Sequence, residues 1–488
     1  MTKKHSKGRK KPGGPKHPHP PARHRYHGRS SPLENAVVPH SPHYQGRFGR
    51  MFRNLPPLAT SEDDLGKIAE AMGEAPKGNF DNPAIPAGFT YLGQFLDHDI
   101  TLDTSSSLER LNDPERIVNF RTPRYDLDSI YGRGPEDNPF LYTADSGRQK
   151  LLVGTSHGQD DLPRNSEDTA LIGDPRNDEN INISQLQVAM LKFHNAVLDH
   201  LGGPGPERFE QAQRLTRWHY QWVVVHDFLP RIVGEDVLRD ILPDFGKQYS
   251  YKKKAQVRCL EPKLCYFHWK KTPFMPVEFS VAAYRFGHSM VRPKYQLNDK
   301  VGPIPIFDAD MSPTSNTHLG GFRALPEDFA VSWNRFFEVD GNEQKSRLID
   351  TKLAPPLLDL PANVVPPPSS LALRNLLRGR SFGLPSGQAV ARHMCLKPLS
   401  NDEIGLGKLG LESTYEAPLW YYVLAEAKEL EKGRRLGPVG ARIVAEVFVG
   451  LLFGDPMSYL KVEPCWWPTF GDKSGFSMVD LLRFAGVV

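Results

Sequence analysis

Four short stretches set chemically capable side chains inside otherwise unremarkable sequence, beginning with Gly93-Gln94-Phe95-Leu96-Asp97-His98-Asp99. Polar groups in so apolar a run are costly unless each has a partner or a task. Read as a helix from Tyr91 to His98, the run puts Gln94 and His98 on one face at i, i+4, with Asp97 about 100° around from His98. One helix then aims all three side chains into a single pocket, while Asp99, about 100° further round, faces whatever lies behind the helix. A candidate catalyst is one reading of such a histidine; a hydrogen-bonded core residue is the other. The second stretch is Gly173-Asp174-Pro175-Arg176-Asn177-Asp178-Glu179-Asn180. Arg176 and Glu179 stand three apart before an amphipathic helix, so they either face one site together or form an i, i+3 surface pair.

The third stretch, Phe279 to Val291, carries His288 among small residues, Ala282, Ala283 and Gly287, that let something flat and large approach the backbone. A haem iron accepts a neutral imidazole nitrogen as axial ligand, and such a ligand usually donates its other N–H to a nearby acceptor. Leu373 to Arg380 supplies candidates: Asn375 for that N–H, and Arg378 to reach a haem propionate. A core histidine bonded to a backbone carbonyl is the competing reading. The fourth stretch is the loop from Asn119 to Gly132, where Thr122, Asp126 and Asp128 alternate. Alternation turns these oxygens and the intervening carbonyls toward one point, as a hard cation such as calcium requires, and Asp99 would add a third carboxylate.

The elements that must position these groups read as helices. Ile183 to Leu201 has apolar residues at helical spacing, Gln211 to Gly234 gives a long helix expected to end at Pro230, and Glu403 to Leu460 continues the pattern with a Trp420-Tyr421-Tyr422 cluster assigned to the core. Strand signals are sparse, and the 44 prolines imply many loops and sharp helix ends. The expected fold is mainly α-helical, one large domain over 46–488 with little β-structure. At 39 % apolar and 24 % charged residues the chain can bury a large core. Its longest apolar tract, Val447 to Phe453, is far short of the roughly 20 residues of a membrane span and reads as a buried helix. Four cysteines, Cys259, Cys265, Cys395 and Cys465, give no disulfide framework; Cys259 and Cys265 could pair locally, but free buried thiols are the expectation.

Residues 1–45 form a separate basic, Pro- and His-rich tail expected to be disordered. Met1 to Arg29 holds ten Lys or Arg and no acid, so removing that charge from the formal +4 leaves about −6 for the rest. The tail is either a solubilising extension or a polyanion-binding arm, for nucleic acid or an anionic surface. Its basic start lacks the apolar core of a cleavable signal, so the expected location is cytoplasmic, or outside by a leaderless route.

In order along the chain, the Gln94 to Asp99 run, Arg176-Asn177-Asp178-Glu179, Arg285-Phe286-Gly287-His288 and Asn375-Leu376-Leu377-Arg378 resemble the haem-site motifs of the animal-type haem peroxidases, the myeloperoxidase and cyclooxygenase superfamily. The resemblance spans about 85–460, takes in His194-Asn195 and Pro418 to Tyr422, and is nearer the compact bacterial members than the secreted mammalian ones. It implies a b-type haem with His288 as proximal ligand and Asn375 as the acceptor of its N–H. His98 would be the distal acid–base, Arg176 the stabiliser of charge on the breaking O–O bond, and Gln94 would orient water, peroxide or a halide. Asp97 and Glu179 match carboxylates that become haem esters, so two covalent links are open. The sulfonium-forming Met of some relatives is Asn180 here, which argues against efficient chloride oxidation. Asp99, Thr122, the Arg124 carbonyl, Asp126 and Asp128 match a calcium site. Arg380-Ser381-Phe382-Gly383 departs from the Arg-Asp-His-Gly common in animal members.

The activity implied is reduction of hydrogen peroxide through a ferryl haem, with oxidation of phenols, halides or thiocyanate. The alternative within the superfamily is a cyclooxygenase-type fatty-acid dioxygenase, whose radical passes through a Tyr three residues before the proximal His. That position is Arg285, and Tyr284 is expected to point elsewhere. An adhesion protein with a vestigial site would have lost a catalytic residue, and none is lost.

Overall fold

The computed structural model describes residues 46–75, 78–103, 112–203, 205, 207–246, 261–411, 414–472 and 474–488. The tail expected at 1–45 lies outside the described residues, and the local pairing of Cys259 with Cys265 does not form, since Cys265 is free. Helices follow in the order α1 (Glu62–Ala71), α2 (Gly88–Ile100), α3 (Asp128–Tyr131), α4 (Ile181–Leu201), α5 (Glu207–Val223), α6 (Leu229–Val233), α7 (Glu235–Ile241), α8 (Leu371–Ser381), α9 (Gly387–His393), α10 (Leu419–Glu431), α11 (Pro438–Gly454), α12 (Tyr459–Val462) and α13 (Met478–Phe484). Strands are short: β1 (Gly46–Gly49), β2 (Asp81–Pro86), β3 (Val118–Asn119), β4 (Gly154–Ser156), β5 (Gln159–Asp161), β6 (Met275–Pro276), β7 (Lys294–Tyr295), β8 (Ile304–Pro305) and β9 (Lys345–Arg347). The fold is mainly helical, as the periodicity implies, and the widest sheet among the described residues has three strands. No helix among them is long and apolar enough to cross a membrane.

α2 lies deep in the body, with Phe89, Leu92, Phe95, Leu96 and Ile100 all buried. Its entry demands glycine: a Cβ at Gly88 would fall 2.5 Å from the Phe337 ring and 2.6 Å from the Phe336 carbonyl. α4 begins where Asn180 caps it, the side chain accepting from the Ile183 N–H at 3.0 Å. α11 is buried almost all round, which explains an apolar tract too short for a membrane yet without an amphipathic stripe.

β1 joins distant parts of the chain. It pairs antiparallel with β3 and parallel with β6, and the residues after it reach further. Arg50 donates to the carbonyls of Phe382 (2.7 Å) and Gly383 (3.0 Å), and the Glu278 carboxylate accepts from the N–H groups of Met51 (2.9 Å) and Phe52 (3.1 Å).

Three local expectations are corrected. Pro230 does not end its helix: α5 passes through a π turn at Val224–Phe228 into α6, with Pro230 at the start of α6 and Gly234 at its end. The ladder changes register there, so the N–H that proline lacks falls where it is least needed. The stretch holding His288 is a π turn at Glu278–Ala282 followed by a 3-10 segment, Ala283–Met290, in place of an α-helix. Free cysteines are not buried: Cys265 and Cys395 are exposed, and Cys465 is disulfide-bonded.

Candidate functional site

One cavity opens between α2 and the 3-10 segment. Gln94, Asp97 and His98 line it from α2, Arg176 and Glu179 from the loop before α4, and Arg285, Gly287 and His288 from the 3-10 segment. Three residues per turn align Arg285 with His288 on one face of that segment. Ala282 and Ala283, expected to admit a flat group, are fully buried in packing; only Gly287 borders the space, where an added Cβ would meet nothing within 4 Å.

His98 is 1 % exposed, and burial, followed by the nearby Arg176 charge, holds its imidazole below the usual histidine range. It is therefore neutral at neutral pH, as a base must be. Its Nδ1 lies 2.6 Å from Asn177 Oδ1, and its Nε2 faces Glu179 Oε1 at 3.7 Å. Glu179 accepts in turn from Gln94 Nε2, and Asn180 Nδ2 donates to Gln94 Oε1 at 3.3 Å. Arg176 is clamped by Asp174, with Nη2 2.7 Å from Oδ2, and also donates from Nη2 to the His98 carbonyl at 2.7 Å. These bonds hold Nε and Nη2, so Nη1 is the nitrogen not engaged by Asp174 or His98. Burial would raise Asp174, but the Arg121 and Arg176 guanidiniums pull it far below the carboxylate range.

Across the cavity, His288 Nδ1 lies 2.8 Å from the Asn375 amide. The orientation differs from the simple acceptor role implied by resemblance: Asn375 Oδ1 accepts from Arg285 Nη1 at 2.9 Å, and Nδ2 is the atom beside the imidazole. With Arg285 donating to Oδ1, the amide meets Nδ1 as a lone pair; a metal on Nε2 would put the proton on Nδ1 and require the Asn375 amide to turn its oxygen there, giving up the Arg285 bond. Burial and the neighbouring Arg378 lower the Arg285 guanidinium to about 10. Arg378 is paired with Asp103 at 2.5 Å, a partner not anticipated, while its buried Nε has no hydrogen-bond partner among the described residues. Tyr284, expected to point elsewhere, also lines the cavity, with its hydroxyl donating to the Gly93 carbonyl at 2.9 Å.

Behind α2, carboxylate oxygens of Asp99, Asp126 and Asp128 lie within 4.8 Å of one another. Burial and the neighbouring acids Asp126 and Asp128 push the Asp99 carboxyl well up, and burial raises Asp128 to about 6. Asp99 Oδ1 and Asp128 Oδ1 have no hydrogen-bond partner among the described residues, which fits a cation in their midst. Thr122 Oγ1 donates to Asp126 Oδ2 at 3.0 Å, and the Arg124 N–H donates to the Thr122 carbonyl at 2.8 Å, which keeps both in the same tight turn. Leu127 sits at φ 57, ψ 38, a left-handed backbone that leucine rarely adopts, between the two acids. Arg121 was not anticipated: it pairs with Asp128 (2.7 Å) and Asp174 (2.8 Å), joining this loop to the Arg176 clamp.

Two imidazoles, apolar residues that include Phe286 and Phe382, and the cationic Arg285 and Arg378, all lining one cavity, are a donor set that fits a flat, carboxylate-bearing macrocycle with an imidazole ligand. Sequence reasoning missed Asp174, Asn177 and Gln187: Asn177 and Gln187 take their roles from the distant His98 and Ser129, and Asp174 joins the distant Arg121 to its neighbour Arg176, so only the density of polar residues around Arg176 hinted at them.

A family model described as animal haem peroxidase matches residues 102–464. The peroxidasin of Drosophila melanogaster is 24% identical over 341 residues, 64% of this chain and 20% of that protein. The chain spans between a fifth and two-fifths of the length of the first curated relatives it matches. Peroxidase A from Dictyostelium discoideum superposes with a TM-score of 0.62 at 17% identity, over 90% of this chain and 93% of that one. The fatty acid alpha-dioxygenase of Oryza sativa gives 0.55 at 16% identity, over 88% and 78%.

Proposed function

The chain belongs to the animal haem peroxidase family, and from that premise we propose that it is a peroxidase that reduces hydrogen peroxide and oxidises small electron donors. The observation that supports this most is that His98 and His288 line one cavity, with Arg176 bonded to the backbone of the first. Haem, when bound, would supply the metal and the electrons that reduce peroxide. His288 is the residue that would ligate it, with Arg378 beside its carboxylates. His98 Nε2 would take a proton from hydrogen peroxide and return it to the oxygen that departs as water. Arg176, locked by Asp174, holds a fixed positive charge where negative charge develops, at no cost in reorganisation. Gln94, tied to Glu179 and Asn180, orients water or peroxide beside His98.

The donor is a phenol, a halide or thiocyanate; chloride is disfavoured, because Asn180 is engaged with Gln94 and no sulfur stands at that place. A dioxygenase would need a tyrosine free to pass a radical to substrate, whereas the Tyr284 hydroxyl is held by the Gly93 carbonyl. Calcium held by Asp99, Asp126 and Asp128, with Thr122 and the Arg124 carbonyl, would brace the end of α2.

The test is an absorption spectrum of the haem-loaded protein before and after hydrogen peroxide. The expected outcome is a histidine-ligated spectrum that changes on adding peroxide and returns with a phenolic donor, and that His288→Ala abolishes. An unchanged spectrum for His288→Ala, or oxygen uptake with a fatty acid in place of peroxide consumption, would overturn the reading.

A further inference from the structure

Behind His98 runs a chain of buried amides. Asn177 Oδ1 is 2.6 Å from His98 Nδ1, Asn177 Nδ2 donates to Gln187 Oε1 at 2.8 Å, and Gln187 Nε2 donates to the Ser129 carbonyl at 2.8 Å. Asn177 and Gln187 are 0 % exposed and Ser129 1 %, so water cannot substitute for a missing partner.

We infer that Asn177 and Gln187 form a one-way hydrogen-bond relay that fixes the tautomer of His98, placing its proton on Nδ1 and its lone pair on Nε2 toward the cavity. The inference rests on the acid–base role proposed above for His98, and it makes Asn177 and Gln187 positioning residues for that proton transfer.

The direction follows from the far end. A backbone carbonyl only accepts, so Gln187 must turn its NH2 to Ser129 and its oxygen to Asn177. Asn177 must then answer with its own NH2, which leaves Oδ1 as the atom facing the imidazole. An oxygen there is satisfied only by an N–H, so Nδ1 is the protonated nitrogen. The opposite tautomer would set two acceptors 2.6 Å apart. Turning both amides would not relieve the conflict; it would move it to Gln187 Oε1 against the Ser129 carbonyl. The mismatch has nowhere to go, and that makes the relay directional. The Ser129 carbonyl is itself held in place, accepting from the Gly173 N–H at 2.7 Å. A histidine base needs its lone pair on the nitrogen that meets the substrate, so the wrong tautomer would present a donor where peroxide offers its proton.

The relay is tested by asking which nitrogen of His98 carries the proton, and whether that depends on Asn177. Long-range nitrogen–proton NMR on histidine-labelled, haem-loaded protein in its diamagnetic ferrous carbon-monoxide form reads the tautomer without reference to turnover, with His98→Gln identifying the signal. The expected result is a protonated Nδ1 and an unprotonated Nε2 in the wild type. Asn177→Leu, which fills the space without an acceptor, should lose that pattern and slow the reaction with peroxide by roughly tenfold or more. Asn177→Asp keeps an acceptor against Nδ1 and should keep the proton there, although it loses the donor to Gln187 Oε1; because Asp matches Asn in shape, the tautomer in this variant checks the acceptor and the Asn177→Leu and Gln187→Met pair carries the test. Gln187→Met probes the same relay one step further from His98 and serves where Asn177→Leu does not fold. A proton on Nε2 in the wild type, or an unchanged pattern and rate in both Asn177→Leu and Gln187→Met, would overturn the relay while leaving the peroxidase reading intact. A wild type with the expected tautomer but no reaction with peroxide would overturn the peroxidase reading and leave the relay standing.

Discussion

Arg176 donates from Nη2 to the carbonyl oxygen of His98 at 2.7 Å, so the guanidinium is fastened to the backbone of the very residue it works beside. Movement of α2 carries both groups together, and their spacing does not depend on a flexible side chain. Arg176→Lys keeps the charge but loses the fork that holds Asp174 and His98 at once. Both Arg176→Lys and His98→Ala are expected to bind haem yet slow the peroxide reaction by roughly a hundredfold, the usual scale for a positioned acid–base group or a fixed donor. Stopped-flow absorbance checks this, and near wild-type rates in both would remove the pair from the mechanism.

Asp97 and Glu179 line the cavity at the side of α2, where either carboxylate can meet the edge of a bound macrocycle. After peroxide turnover, haem is expected to stay with the denatured protein and to add its mass to the intact chain. The double variant Asp97→Asn, Glu179→Gln should release it to acid–acetone. Quantitative extraction from the wild type would show that the two carboxylates only hydrogen-bond the cofactor.

Three clustered carboxylates, Asp99 buried and Asp126 and Asp128 half-buried, repel one another unless a cation lies between them. Chelation of calcium is expected to lower the melting temperature, since an ion at a hundred times its dissociation constant stabilises by about 2.7 kcal/mol. It should also slow the peroxide step, because Asp99 adjoins His98. Asp126→Ala should melt lower than wild type and no longer respond to the chelator. Elemental analysis that finds no calcium in active protein would count against the site.

Glu426 offers a pH test away from the cavity. Burial raises its carboxyl to about 7, although it accepts from the Val439 N–H at 2.9 Å. The folded state therefore keeps a proton that the unfolded chain releases. That contribution is whole below the usual value near 4.5 and is lost as pH rises through about 7. Glu426→Gln keeps the acceptor without the charge, so it should match wild type at pH ~4.5 and exceed it at pH ~8.5 by on the order of 3 kcal/mol. Denaturant unfolding at the two pH values gives the comparison; equal stability at both would show that the carboxylate ionises without cost.

Helical periodicity made the helices legible, because burying a stripe leaves a pattern in neighbouring residues. Motif residues such as His98 and His288 stood out as polar intrusions in apolar runs. The residues that orient them did not. Asn177 and Gln187 look like any polar loop or helix residue until the chain brings them together, and Asp103 meets Arg378 only across 275 positions. The 3-10 geometry around His288 is also invisible locally, since its sequence suits an α-helix and the tighter winding comes from the π turn before it. The exposure of Cys265 and Cys395 was misjudged because cysteine's general preference for burial says nothing about a particular loop.

The strap formed by β1 and the residues after it has a consequence in time. Arg50 emerges from the ribosome early, but the carbonyls it holds, those of Phe382 and Gly383, lie 332 and 333 positions later. At ordinary rates of synthesis that is a wait of roughly 20 to 60 s. Until then the cavity lacks Phe382 and Arg378 from its wall. A flat apolar cofactor offered before that would meet half a cleft, so loading follows the synthesis of α8 and the residues after it, and the supply of cofactor need match only the rate at which chains pass that point.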